Sequence, residues 1–546
     1  MKTIKNKSVA VMLLLLTFLF SCEDLTETNQ NPNGVDPTTV HPNLLITTVL
    51  SEASKQIVNY GFGDIAGVMQ HTQKDAWFSG HNDYDWSDQS WAKFYEILRN
   101  NNHMYNRSVE LGLEFHQGVA HVMKALMFAH ITDIWGDAPY VNALNGDQGG
   151  EENLLPAFDS QQAIYNGILE DLETANTLLS KNKSEYDEIF DDADVIYGGD
   201  PTKWRKFANS LMLRYYMRIS SKDPSTATAG IAKILGNSTQ YPIITDVADD
   251  ANMAYPGTGE ADAWPGNTVF DGTSGSNYRR RKMCSTLVDA MQAVNDPRLA
   301  VWANRVEVPI VVDAGLPAGT DEIIGGVRNI APDVVAGRLV DTDPDYVGIP
   351  PSVSALPSGH NLNPTPGQLS FNPHVSFLND IYREASGPLL QARLISAAEV
   401  HFILSEAALE GLTGGDAQTH YEAAIMASLE AWGIEDEYDT YIAGPAAYNG
   451  TQEQILEQKW IASWTNAAES WADFRRTGLP ALVAGPAAKR TVLPVRFYYM
   501  TKELDINTTN AENAVSLLEE TAYSQADGKN SAWSKSWLLQ GMNKPW

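Results

Sequence analysis

Between Thr451 and Pro480 the chain has room for little but helix. Thr451 and Gln454 stand at the spacing of a capping box, hydroxyl first and amide three residues on, which predicts a helix start there. Leu456, Trp460 and Trp464 then recur every fourth residue as one apolar face, and Trp471 and Phe474 carry that character up to Arg475 and Arg476. Gly478 and Pro480 stop the helix. In a chain of net charge −30, two adjacent arginines behind a Trp-Ala-Asp-Phe run are expected to pair with carboxylates or to hydrogen-bond backbone carbonyls. Each guanidinium offers five donors in a fixed fork.

The helical period returns through most of the chain. Leu44, Leu45, Val49 and Leu50 begin one helix, and Trp91, Phe94, Leu98 and Tyr105 face one side of another. Val119, Val122, Met123, Leu126, His130 and Ile134 share a stripe that Gly136 and Pro139 end. Ile164, Ile168, Leu172 and Ala175 align between Ser160 and Ser180. Asp200 reads as a cap with Pro201 at the first helical position, and Trp204, Ala208, Leu211 and Tyr215 as the buried face behind it. Ile395, Ala398, Phe402 and Leu409 line a further helix, and Tyr421, Ile425, Leu429 and Trp432 the next, closed by Gly433.

Residues 237–388 read differently. They are rich in Gly, Pro, Asp and Asn, and Pro350, Pro351, Pro357, Pro364, Pro366 and Pro373 forbid regular helix through much of them. Trp264, Phe270, Tyr278, Tyr346 and Phe371 argue against disorder. The expectation is a mostly α protein: a helical scaffold over 43–236 and 389–546 carrying a large loop-rich region over 237–388. Loops on rigid scaffolds are where binding residues concentrate.

The text QKWIASW…ESWADFRRTGLP, followed by LPVR and KELDIN, resembles the C-terminal signature of the SusD/RagB family of nutrient-binding outer-membrane lipoproteins. Tyr499-Met500 stands where that family usually has Tyr-Pro. HVMKALMFAHITDIWGDAPYVNAL, GGDPTKWRKFANSLMLRYYMRIS, EVHFILSEAALEG and YEAAIMASLEAWG resemble its helices. The resemblance implies a SusD-like fold with tetratricopeptide-like helix pairs, and binding with neither a covalent step nor a cofactor. It implies a SusC-like TonB-dependent outer-membrane transporter as partner, with the globule as a lid over its mouth, and a glycan or oligosaccharide as ligand. An oligopeptide ligand on the same fold, a surface glycosidase and a purely structural subunit are the other readings.

The N-terminus reads as an export signal. Lys2, Lys5 and Lys7 are basic, Val9 to Phe20 is apolar but too short to span a bilayer, and Leu19-Phe20-Ser21-Cys22 looks like a lipobox. Residues 1–21 are therefore expected to be a lipoprotein signal peptide, with Cys22 lipidated as the membrane anchor and 22–42 a polar tether. Glu23-Asp24 is similar to the acidic export signal of surface-exposed lipoproteins in such systems, which places the protein on the outer membrane facing the cell surface. Cys284 is then the one other cysteine, expected as a small buried residue. The acidic balance repels phosphate backbones and argues against a nucleic-acid partner.

A sugar site needs flat aromatic faces beside amides, carboxylates or guanidinium groups. The first candidate is DAWFSGHNDYDW, with Trp77, Phe78, Asn82, Asp83, Tyr84 and Trp86; its aromatics fit no helical stripe and Gly80 marks a loop. The second is the mid-chain loop with Trp264, Asn267, Tyr278 and Arg279. For any one of these aromatics, core packing is the commoner role. Because glycan-contacting residues vary within the family, none is carried over by motif. Arg475, Arg476 and Arg496 match the family signature and read as fold-locking. Glu399 and Glu406 lie seven apart on one helix face, but paired acid–base carboxylates need a defined separation across a cleft. Metal signals are weak: there is no HExxH, and Asp341, Asp343 and Asp345 lack the glycine and glutamate of a calcium loop.

Overall fold

The computed structural model describes residues 39–75, 79–86, 89–271, 276–353, 360–364 and 371–543. From Pro42 onward, consecutive helices pack against one another: α1 (Pro42–Gly61), α2 (Ala92–Leu111), α3 (Glu114–Trp135), α4 (Gln161–Leu178), α5 (Pro201–Ile219) and α6 (Pro224–Leu235). After the loop-built region come α7 (Ala397–Leu409), α8 (Ala417–Glu430), α9 (Gln452–Ala462) and α10 (Ala467–Thr477). Here α7 packs on α8, α9 and α5, which joins the two halves of the scaffold. The mostly α class is as the periodicity predicts. Among the described residues no helix is long and apolar enough to cross a membrane.

Local chemistry sets several ends. The Asp200 carboxylate accepts from the N–H groups of Thr202 at 2.8 Å and Lys203 at 3.3 Å, and Pro201 follows as the first helical residue. Ser160 caps α4 through the N–H of Ala163. Only Gly112 and Leu113 join α2 to α3, and Gly112 takes the left-handed φ of +72° that such a stop requires.

Two readings need correction. The Thr451–Gly478 stripe is two helices, broken at Thr465, whose φ is +74°. Asn466 lies directly against Gly61, where an added Cβ would stand 3.0 Å from its Cα, so the chain bends to admit the end of α1. The Thr451 hydroxyl caps Gln454 N–H at 3.2 Å as expected, whereas the Gln454 side-chain oxygen accepts from Asn449 N–H. Ile395 lies in a strand, not in the helix that follows.

The strands are short. β1 (Thr72–Lys74) pairs antiparallel with β3 (Arg281–Met283), β2 (Ala251–Ala254) with β7 (Gln391–Ile395), and β6 (Val327–Ile330) lies between parallel β4 (Ile310–Val312) and antiparallel β5 (Asp321–Ile324). Since β2 enters the loop-built region and β7 leaves it, one ladder ties off both its ends against the scaffold. That closure is long in sequence and is held by backbone hydrogen bonds.

The C-terminal arginines close the core. Arg476 forks onto Glu406 at 2.8 and 2.7 Å, and Glu406 is fully buried. Arg475 donates to the carbonyls of Asp133, Trp471 and Val495, and Arg496 to those of Trp135 and Ser531. Both kinds of partner expected from the sequence are thus used, carboxylate by one neighbour and carbonyl by the other. Glu399 is likewise spent on Arg214, at 2.7 and 2.6 Å. Burial alone would raise the carboxyl of Glu469, but Arg214 and Arg218 outweigh it and hold that group well below the usual carboxylate range.

Candidate functional site

The turn Tyr255-Pro256-Gly257 leaves β2 and opens a loop that runs to Asp271. Gly257 has φ +67° and sits so close to Ala385 that a Cβ would meet its backbone at 3.0 Å, so this turn needs glycine. The Asp262 carboxylate accepts from Gly259 N–H at 2.8 Å and from the Thr258 hydroxyl; those bonds lower its pKa and fix the next turn. Trp264 and Thr268 donate their N–H groups to the carbonyls of Ala385 and Arg383, both at 2.8 Å, which staples the loop to the far end of the region. Asn267 holds the last turn from within: its amide donates to Trp264 O at 2.7 Å and its oxygen accepts from Phe270 N–H at 2.9 Å.

What results is a cleft of about 270 Å³ between this loop and α1. Lys55 and Asn59 from α1 form one wall, Glu260, Asp271 and Asn277 line the polar rim, and Phe270 is half-buried at the edge. Tyr255 and Trp264 form the base, with ring centroids 5.4 Å apart and edge to face at 84°. Trp264 also packs on Phe62 and Tyr382, so its ring is largely committed to the core. The Tyr255 hydroxyl is buried and has no hydrogen-bond partner among the described residues. Burial raises its pKa, so it stays a protonated donor. A buried hydroxyl left without a partner costs about 1–3 kcal/mol.

The residues anticipated from sequence separate. Trp264 and Asn267 line the cleft. Tyr278 stacks near Phe377 and donates its hydroxyl to Leu378 O, while Arg279 beside it is half-buried. Trp77 and Phe78 lie outside the described residues. The other four of that first candidate are placed in structural roles. Asn82 exchanges two hydrogen bonds with the Lys74 backbone at 2.8 Å, and one Asp83 oxygen holds the N–H groups of Gly80 and Asp85. Tyr84 is fully buried, and Trp86 packs against Phe497 at 4.5 Å and Trp471 at 5.5 Å. Gly80, at φ +79°, marks the loop as expected, but Tyr84 is buried and Trp86 turns inward onto Trp471 and Phe497. Tyr255, Lys55, Asn59 and Glu260 were not singled out by sequence; the Tyr-Pro-Gly turn is the one local signal that points to this place.

Fold and cleft together define a helical scaffold protein whose loop-built insertion shapes a small polar pocket. The chain belongs to the SusD-like family, described as "Starch-binding associating with outer membrane", which it matches over residues 32–321 and 346–500. Similar solved structures include a SusD homologue of Bacteroides fragilis, 22% identical with a TM-score of 0.69, covering 92% of this chain and 100% of that one. A SusD homologue of Bacteroides uniformis is 21% identical at a TM-score of 0.67, covering 91% and 99%. A chitin-binding SusD homologue of Flavobacterium johnsoniae is 19% identical at 0.65, again covering 91% and 99%. At these identities the structures share the fold. No curated protein matches the sequence.

Proposed function

We propose that the protein binds an oligosaccharide at the Tyr255–Asp271 cleft, without covalent chemistry, as part of nutrient capture at the outer membrane. The cleft's lining carries this reading, because it sets the Tyr255 and Trp264 rings beside amide, ammonium and carboxylate groups of the kind that bond sugar hydroxyls. The family's description and the chitin-binding relative support the ligand class. Lipidation at Cys22 holds the protein at the cell surface, and a SusC-like TonB-dependent transporter receives the ligand. Trp77, Phe78 and Arg279 are proposed as further contacts. A Kd between about 1 mM and 1 μM, roughly −4 to −8 kcal/mol, suits capture followed by release.

Calorimetric titration against oligosaccharides and mixed peptides tests the reading. The expected result is a saturable glycan isotherm with no new reducing ends. A response to peptides alone replaces glycan by peptide on the same fold. Reducing-end release makes the protein a glycosidase, and silence across the panel leaves a structural subunit.

A further inference from the structure

Helices α7 and α8 each present one histidine to their shared seam. The Nδ1 atoms of His401 and His420 lie 3.3 Å apart, with ring centroids 5.5 Å apart and planes tilted by 29°. Both rings are half-buried, so solvent reaches them.

Their protonation is set by what surrounds them. His401 Nε2 lies 3.2 Å from the carbonyl oxygen of Thr245, which can only accept. Nε2 of the neutral ring therefore carries the hydrogen and Nδ1 presents a bare lone pair to His420. Burial lowers the pKa of both imidazoles, and for His420 the neighbouring His401 adds to it while Asp416 opposes it. A histidine ligand with its outer nitrogen fixed by a backbone carbonyl is the usual second layer of a metal site.

The separation of the pair admits two uses. At 3.3 Å the contact can be a long hydrogen bond, since N–H donors usually stand about 2.7–3.2 Å from their acceptors. Two imidazole nitrogens bound tetrahedrally at about 2.0–2.1 Å stand roughly 3.3–3.4 Å apart. The pair thus has the bite of a bidentate clamp. Asp416, the cap of α8, adds a carboxylate close enough for His420 to act on its charge.

We propose that His401 and His420 form a two-histidine site for a divalent transition-metal ion of the Zn²⁺ type, which staples α7 to α8. Among the described residues no group of three or more His, Cys, Asp or Glu side chains is placed to hold a metal, so water completes the coordination and the ion exchanges freely. Imidazole selects Zn²⁺, Ni²⁺ or Cu²⁺ over the hard cations Mg²⁺ and Ca²⁺. Neither histidine lines the Tyr255 cleft, and the site stands whether or not that cleft takes sugar.

The test uses the full chain in detergent without an added histidine tag. Titration with ZnCl₂ is expected to show one equivalent bound, MgCl₂ none, and a zinc-dependent rise of about 1–3 °C in the unfolding midpoint. His401→Ala and His420→Ala should each abolish binding, while His121→Gln keeps it. Crystals of the unaltered protein soaked in Zn²⁺ give a readout independent of any variant's folding: an anomalous peak between the two Nδ1 atoms. No saturable zinc binding, binding that survives both alanine variants, or an anomalous peak elsewhere overturns the proposal.

Discussion

The segment 79–86 and the loop 255–271 draw on the same residue types, aromatics interleaved with Asn, Asp and Gly, and they finish in opposite states. In the first, Asn82, Tyr84 and Trp86 are buried and the Asp83 carboxylate holds its own turn. In the second, Asn267 and Asp262 also hold turns, yet a cleft stays open beside Tyr255, whose buried hydroxyl has no partner among the described residues. The difference is the cover. Trp471 and Phe497 close over Trp86, whereas the 255–271 loop is fastened to Ala385 and Arg383 by its backbone, which leaves a pocket toward α1. Aromatic-polar composition marks a loop able to bind, and the packing partner decides whether it can.

That contrast can be broken most forcibly in the covered region. Trp86→Ala removes a core indole and should cost about 3–5 kcal/mol in urea unfolding. An affinity for glycan that falls in proportion, in a variant still folded, would return Trp86 to the binding site. Arg476→Ala leaves Glu406 buried without its cation and is expected to cost a similar 3–5 kcal/mol; a loss below about 1 kcal/mol would mean that the fork does not lock the core.

A smaller effect is expected where the loop-built region joins the scaffold. Burial raises the Asp250 carboxyl to about 7, although the Ala397 N–H that it accepts at 2.6 Å and the charge of Arg393 both pull it down. A folded pKa above the unfolded value near 3.8 means the native state binds the extra proton. The stability associated with it is complete below about pH 4 and is lost as pH rises toward 7. Asp250→Asn keeps an acceptor for Ala397 and should remove that slope, worth on the order of a few kcal/mol, in unfolding curves taken between pH 4 and 8. A slope that persists unchanged assigns it to other groups.

The least destabilising change is the sharpest for function. Tyr255→Phe deletes a hydroxyl that has no partner among the described residues, so stability should hold or rise by up to about 1 kcal/mol. Glycan affinity should fall about five- to tenfold, as expected for one lost hydrogen bond, and calorimetry reads both arms. Unchanged affinity would move the sugar out of this cleft.

Sequence alone determined the scaffold. Helical stripes, Asp200 with Pro201, Ser160, and the glycine stops are local devices acting within a turn or two, and they are legible without the fold. The arginine pair was legible for a different reason: a guanidinium in an acidic, apolar setting has few options, and the structure uses both of them. Tertiary structure decided the rest. Thr465 breaks a continuous stripe because the end of α1 must pass, and Ile395 joins a strand because β2 comes back to meet it. Trp86 is buried by residues 385 and 411 positions away in the chain, and the Tyr255 hydroxyl is left without a partner among the described residues. Burial of a loop side chain is a property of distant neighbours, and no local pattern encodes it.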